Sequence, residues 1–447
     1  MKNFIISCIN IIGLFLIALL ILLGNINNGV ILSLVSLIFI YFFVKKVKIK
    51  RFMVFLILFS LVTKIVCVLI LKTPILADYW IMYEASQNMI NGDYSFVNKL
   101  YFLTWGYQLF HVFYEAFVLG FMNDILVLKI LNCIYSTVIT IMIYLITRKI
   151  TSENTARIVS LLYSIAIYPL YLNSVLGNQQ LALMLMLIGI YILLFKNNNI
   201  KNLIIVGILI ALSNLERPEA IIYLLTILVY YIISNQKLKI TIKNCFIIFI
   251  TYFIITKGSS FFLIKSGIND IGFENKNPYW KFVTGFSYDT NEIYNLDDVY
   301  YADVSNVDDT KKEAINRISQ VHKWPRLFYE KTKIIWLYNG LEECFNAKSI
   351  NISDDLKQII FNYIKIMNMV IIILVLVGLY KNKNINHTTK FFLINILIYF
   401  AVYLIIEVHI RYYFNPQVSM FILSSIGIER VLNYIDNRKR IAGGQDE

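Results

Sequence analysis

Long apolar runs recur along this chain, each of roughly 17 to 22 residues and closed by a short polar break, the length a helix needs to cross bilayer hydrocarbon. Of its 447 residues 58% are hydrophobic and 15% charged, with a mean hydropathy of +0.66. That is far more apolar side chain than one soluble core can bury, and it excludes a water-soluble enzyme. The chain reads as an all-α polytopic membrane protein. Hydropathy places spans near 3–23, 29–44, 52–72, 124–147, 156–173, 179–195, 201–216, 219–234, 243–262, 358–380, 390–407 and 413–432, about twelve transmembrane helices.

An even number of spans puts both termini on one side. Alternate breaks then collect the cations, among them Lys45, Lys46, Lys48, Lys50 and Arg51; Arg148, Lys149 and Arg157; Lys237, Lys239 and Lys243; Arg438, Lys439 and Arg440. The positive-inside rule makes that face cytoplasmic. A net charge of +13 would raise nucleic acid as a partner for a soluble protein. Here it reports insertion and contact with anionic lipid, and no nucleic-acid partner is expected. Lys2 and an apolar run to Leu23, with no small-residue cleavage site after it, read as a retained first helix. Cys8, Cys67, Cys133 and Cys245 fall in spans, Cys344 stands apart, and His111, His322, His387 and His409 are scattered; no disulfide framework or metal spacing is indicated.

Two long segments, 73–123 and 265–357, fall on the outer face, where the other connections are very short. They divide the chain into an N-terminal transmembrane catalytic module (1–264), an extracytoplasmic loop (265–357), and C-terminal helices with a cytoplasmic tail (358–447). A site built from the two segments is expected. Pro74, Pro169, Pro218, Pro278, Pro325 and Pro416 all lie at outer helix ends or in the large outer loop, so irregular backbone is confined to one face. A secondary transporter more often breaks its helices at the bilayer midplane, and that reading loses ground.

In TPILADYWIMYEASQNMINGDYSF, Asp78 stands where an N-cap belongs, before an aromatic helix that Asn91-Gly92 would stop. Glu84 lies about 240° further round that helix, on another face. The stretch YFLTWGYQLFHVFYEAFVLGF follows too closely to recross the membrane and reads as interfacial, with His111 a satisfied histidine within it. Cations on the outer side are informative because the insertion rule predicts few. Arg217 in NLERPEAI and Arg411 in EVHIRYYFNP occupy the short outer connections. Lys64 and Lys129 lie within spans and Lys257 near an outer end, as functional groups or as snorkelling side chains. Guanidinium groups in such places suit an anion, most simply a lipid phosphate, although Glu216 and Glu219 flank Arg217 and can merely neutralise it. Residues 277–320 mix Tyr with Asp, which suits carbohydrate as well as an ordinary solvated loop, and Thr310 to Glu313 has capping-box spacing, marking a helix start.

The order of Asp78, YWIMYEASQNMINGDY, the aromatic stretch, KILNCIYSTVITIMIYLITRKITSENTARIVSLLYSIAIYPLYLNSVLGNQQLALML and SNLERPEAIIYLL resembles the family-39-like GT-C membrane glycosyltransferases, which include protein O-mannosyltransferases and bacterial aminoarabinose transferases. The resemblance runs from about Leu76 to Tyr230, roughly a third of the chain. It implies a GT-C-like fold, a polyprenyl-phosphate sugar donor and an outer active site, with Asp78 as catalytic base, Arg217 on the donor phosphate and Arg411 a second anion contact. Lys64 and Lys129 are further phosphate candidates; Glu84, Tyr107, Gln179, Glu219 and Tyr412 are candidate substrate contacts. Tyr79 departs from the Glu that follows the Asp in many relatives, and Gln179 from a Glu often found in the later loop. With that carboxylate missing, no cofactor is required and a divalent cation is not indicated.

The expected function is a membrane glycosyltransferase moving a hexose or pentose from a polyprenyl phosphate to a glycan, lipid or protein acceptor of the cell envelope, inverting, with Asp78 as general base. The expected location is the plasma membrane, multi-pass, both termini cytoplasmic and the active site extracytoplasmic. Abundant Ile, Asn and Lys fit an AT-rich bacterial genome. Three alternatives stand beside it: a lipid-pyrophosphate-dependent glycan polymerase or ligase, a flippase or transporter of lipid-linked sugar, and a structural partner in the envelope.

Overall fold

The computed structural model of the chain describes residues 27–46, 50–234, 238–288, 298–336, 352–380, 382 and 385–443; the span expected at 3–23, Cys8 and Cys344 lie outside them. In chain order the helices are α1 (Asn27–Lys46), α2 (Phe52–Leu71), α3 (Ala77–Ile90), α4 (Leu100–Thr104), α5 (Leu109–Phe121), α6 (Ile125–Ile150), α7 (Glu153–Ser164), α8 (Ile167–Leu172), α9 (Gln179–Phe195) and α10 (Ile200–Glu216). They continue as α11 (Ala220–Ile233), α12 (Leu238–Lys265), α13 (Trp280–Gly285), α14 (Val299–Ala302), α15 (Val307–Ser319), α16 (Trp324–Trp336), α17 (Asp354–Leu379), α18 (His387–Ile405) and α19 (Phe414–Gly443). No strand occurs among the described residues, so the all-α expectation holds. Six helices are long and apolar enough to cross a membrane: α2, α6, α12, α17, α18 and α19 with the turn before it. Among the described residues this multi-pass set is smaller than the about twelve spans read from hydropathy.

The span expected at 156–173 is not one helix. It breaks between Ser164 and Ile167 because Pro169 has no N–H for the carbonyl of Ile165, four residues back, and its ring crowds that oxygen. The capping box expected at Thr310 also gives way. Helix α15 already begins at Val307, the Thr310 hydroxyl donates back to the Asn306 carbonyl at 2.8 Å, and Glu313 pairs with Arg317 at 2.7 Å. Asn91 and Gly92 do end α3, with Gly92 at φ +80°, where a side chain would be strained.

Small residues let backbones approach closely inside lipid, where no hydrophobic drive brings helices together. Helices α17 and α19 meet this way: a Cβ added at Gly378 would lie 2.7 Å from the Gly427 nitrogen, and one added at Gly427 would overlap the Leu374 carbonyl. Gly427→Ala is therefore expected to destabilise the protein by about 1–3 kcal/mol, read as a lower thermal midpoint of the purified protein. An unchanged midpoint would mean that the two helices separate freely.

The second long segment folds around a small core of Trp280, Val283, Ala302 and Ala314, locked by Arg317 to Asp298 at 2.6 Å. It docks onto the C-terminal end of α18. Lys331, 1% exposed on α16, donates to the carbonyls of Leu404 at 3.0 Å and Ile406 at 2.9 Å, where a helix end leaves acceptors over. Beside it, a Cβ at Gly285 would stand 2.6 Å from the Ile405 carbonyl. Thr104 of the first long segment donates to the Ala302 carbonyl at 3.1 Å. The two long segments thus meet over the ends of α10, α11 and α18.

Candidate functional site

Asp78 does not cap α3. The N-cap is Leu76, which makes no side-chain bond, and Asp78 sits in the first turn after Ala77 at φ +50°, a left-handed conformation that costs a non-glycine residue about 1–3 kcal/mol. That turn aims Asp78 across the cavity, where its Oδ2 accepts a hydrogen bond from Arg411 Nη2 at 2.6 Å. The pair spans 333 positions of sequence. The Arg411 guanidinium also lies 5.7 Å from the centre of the Tyr79 ring.

This ion pair forms one wall of a cavity of about 400 Å³ lined also by Tyr101, Trp105, Glu407 and His409. A second, smaller cavity of about 90 Å³ holds Arg217 and Lys281 beside Ile221, Ile222 and Ile406. Tyr107, Gln108, Glu407, Arg411 and Tyr412 line both, so the two cavities share a wall. Asp78, Arg217 and Arg411 are therefore brought together, along with Tyr107 and Tyr412.

Arg217 follows the end of α10 and is buried. Its Nη1 donates to Asn178 at 3.0 Å, its Nε pairs with Glu219, and its guanidinium lies 5.4 Å from the centre of the Tyr412 ring. Burial works against the charge, but Glu219 outweighs it and holds Arg217 above its ordinary range. Glu219 is in turn held by Tyr399, Tyr403 and Asn415, so it neutralises the arginine and ties α18 and α19 to it.

His409 accepts the Arg411 main-chain N–H on Nδ1 at 3.4 Å, which leaves Nε2 carrying the ring proton. Burial, then Arg411 and Arg217, push its basicity well below the usual range, so it stays neutral. Burial raises Glu407, while Lys281 and Arg411 draw it back down. Glu407, His409 and Lys281 were not singled out in the sequence. Glu407 and His409 stand beside Arg411 in EVHIRYYFNP, and an outer carboxylate next to a candidate anion contact was the available signal.

Other candidates lie elsewhere. Lys64, with 0% exposure, donates to Ser60 and to Thr140 within the helix packing. Lys129 donates to the Thr73 carbonyl at 2.7 Å, and exposed Glu84 faces Lys99 at 3.8 Å. Gln179 is buried beside Gly177, behind Tyr79, and its amide atoms have no hydrogen-bond partner among the described residues.

His111 proves to be more than an interfacial ring. It is buried between Glu216, 2.5 Å from Nδ1 and next to Arg217 in the chain, and Glu115, 3.3 Å from Nε2. Burial opposes its charge, but the two carboxylates raise its pKa to about 10. Because that lies above the ordinary value of 6.5, the stabilisation is complete below about pH 6.5 and is lost as pH rises through about 10. His111→Gln leaves two buried carboxylates without a cation and is expected to cost about 3–5 kcal/mol, with a flatter fall of the thermal midpoint over that pH window.

Residues 109–257 match the family model described as dolichyl-phosphate-mannose-protein mannosyltransferase. The match covers about a third of the chain and agrees with the resemblance to GT-C membrane glycosyltransferases. The resemblance read from the sequence is borne out, and the match takes in Arg217, Glu219 and the His111 cluster. No curated protein matches the chain. Among solved structures, the archaeal oligosaccharyltransferase AglB from Archaeoglobus fulgidus, in complex with an inhibitory peptide and a dolichol-phosphate, is similar at 13% identity and a TM-score of 0.48. The likeness covers 86% of this chain and 52% of that one, so the chain spans about half the length of that protein.

Proposed function

We propose that this GT-C protein transfers a sugar from a polyprenyl-phosphate donor to an extracytoplasmic acceptor of the cell envelope, with inversion at the anomeric carbon. The observation that carries the reading is Asp78 set against Arg411 in a cavity whose neighbour holds Arg217. In this reading Arg217 and Arg411 receive the donor phosphate, and the acceptor hydroxyl lies in the larger cavity beside Asp78. Asp78 takes the hydroxyl proton as the oxygen attacks the anomeric carbon; the bond from that carbon to the phosphate oxygen breaks, and its electron pair leaves with the lipid phosphate. The two guanidinium groups offset the charge growing there, in a site poor in water. A phosphate beside Arg411 also competes for the guanidinium that Asp78 now occupies, which frees the carboxylate as the donor arrives.

The site faces the outside in this reading, with both termini in the cytoplasm of a bacterial cell. The test supplies the full-length protein in membrane vesicles of its host with labelled sugar on a polyprenyl phosphate or on a polyprenyl pyrophosphate. Label moving to an envelope acceptor from the monophosphate is the expected result. Transfer from the pyrophosphate alone would make the protein a polymerase or ligase instead.

A further inference from the structure

Three carboxylates stand at the two cavities, and two are taken. Asp78 is paired with Arg411 at 2.6 Å, while Glu219 is held by Arg217, Tyr399, Tyr403 and Asn415. Glu407 is the third. It lines both cavities, and among the described residues its carboxylate makes no hydrogen bond and no ion pair within reach, although Lys281 and Arg411 act on it through space. Its backbone is fixed by the outer segment: the Glu407 N–H donates to the Lys281 carbonyl at 3.2 Å, and Lys331 holds the preceding carbonyl of Ile406 at 2.9 Å. A half-buried carboxylate held in place with unclaimed oxygens is an acceptor awaiting donors.

We propose that Glu407 accepts hydrogen bonds from hydroxyls of the donor's sugar and so selects which sugar is held. The inference rests on the proposed function and deepens it. A sugar bonded to a phosphate between Arg217 and Arg411 must lie against the wall common to the two cavities, and Glu407 is that wall's carboxylate. Tyr101 and Trp105 line the larger cavity, and aromatic rings suit a sugar's C–H groups, which leaves its hydroxyls in need of an acceptor.

The test measures binding to the purified full-length protein, first of bare polyprenyl phosphate and then of polyprenyl phosphates carrying mannose, glucose or arabinose. In the wild type at least one sugar-bearing lipid binds more tightly than the bare lipid. Glu407→Gln keeps the shape and removes the charge. It is expected to weaken binding of that lipid about 10-fold or more, as for a lost hydrogen bond to a charged group. The same change leaves the bare lipid unchanged or tighter, since a negative charge near its phosphate is gone. Glu407→Asp falls between. Bare-lipid binding doubles as the control for folding. If both kinds of lipid shift together, or neither shifts, or no sugar improves on the bare lipid, Glu407 does not read the sugar. Wild-type protein that binds none of these lipids overturns the proposed function itself, and the inference with it.

Discussion

Asp78→Asn is expected to lower kcat for transfer by about 10²- to 10⁴-fold, the usual contribution of a general base, without weakening donor binding. The asparagine keeps the side chain's shape but cannot take the acceptor proton. It also releases Arg411, whose guanidinium is then wholly available to phosphate, so the donor KM stays level or falls. The exchange removes one ion pair in which Asp78 is 32% exposed, and insertion and thermal stability should hold near wild type. Initial rates with labelled polyprenyl-phosphate sugar check this. A rate within a few-fold of wild type would remove Asp78 from the chemistry.

Arg217→Gln is expected to lose about 10²- to 10³-fold in rate, the usual effect of deleting one donor to a developing oxyanion. It has a second effect, because Glu219, 15% exposed, is left with its tyrosine and asparagine partners but no cation, at a cost of up to about 3–5 kcal/mol. The double variant Arg217→Gln with Glu219→Gln separates the two. Stability should recover while the rate does not. If the double variant restores transfer, the arginine only neutralises Glu219, and the phosphate is held elsewhere.

Arg217 and Arg411 stood out in the sequence because the expected topology leaves few cations in the short connections where they lie. Asp78 was visible as a position but not as a partner. Its spacing fits a cap, and nothing local shows an arginine 333 residues away. The same holds for His111, whose carboxylate Glu216 is 105 positions on. Hydropathy found the six helices long and apolar enough to cross a membrane but ran through the break before Ile167, since Ile165 and Ala166 are as apolar as their neighbours and only Pro169 betrays it. Thr310 misled for a related reason: its hydroxyl can bond back to a carbonyl four residues earlier, so capping-box spacing also occurs inside a helix.

The cramped seating of Gly285 and the ammonium of Lys331 against the end of α18 limits how this architecture can diversify. An outer segment exchanged for another would shift the Ile406–Glu407 stretch unless it kept a residue without a side chain at the first point and a buried donor at the second. Variation in this segment is therefore cheapest around Tyr300 and Asn316, where a change leaves that anchorage alone.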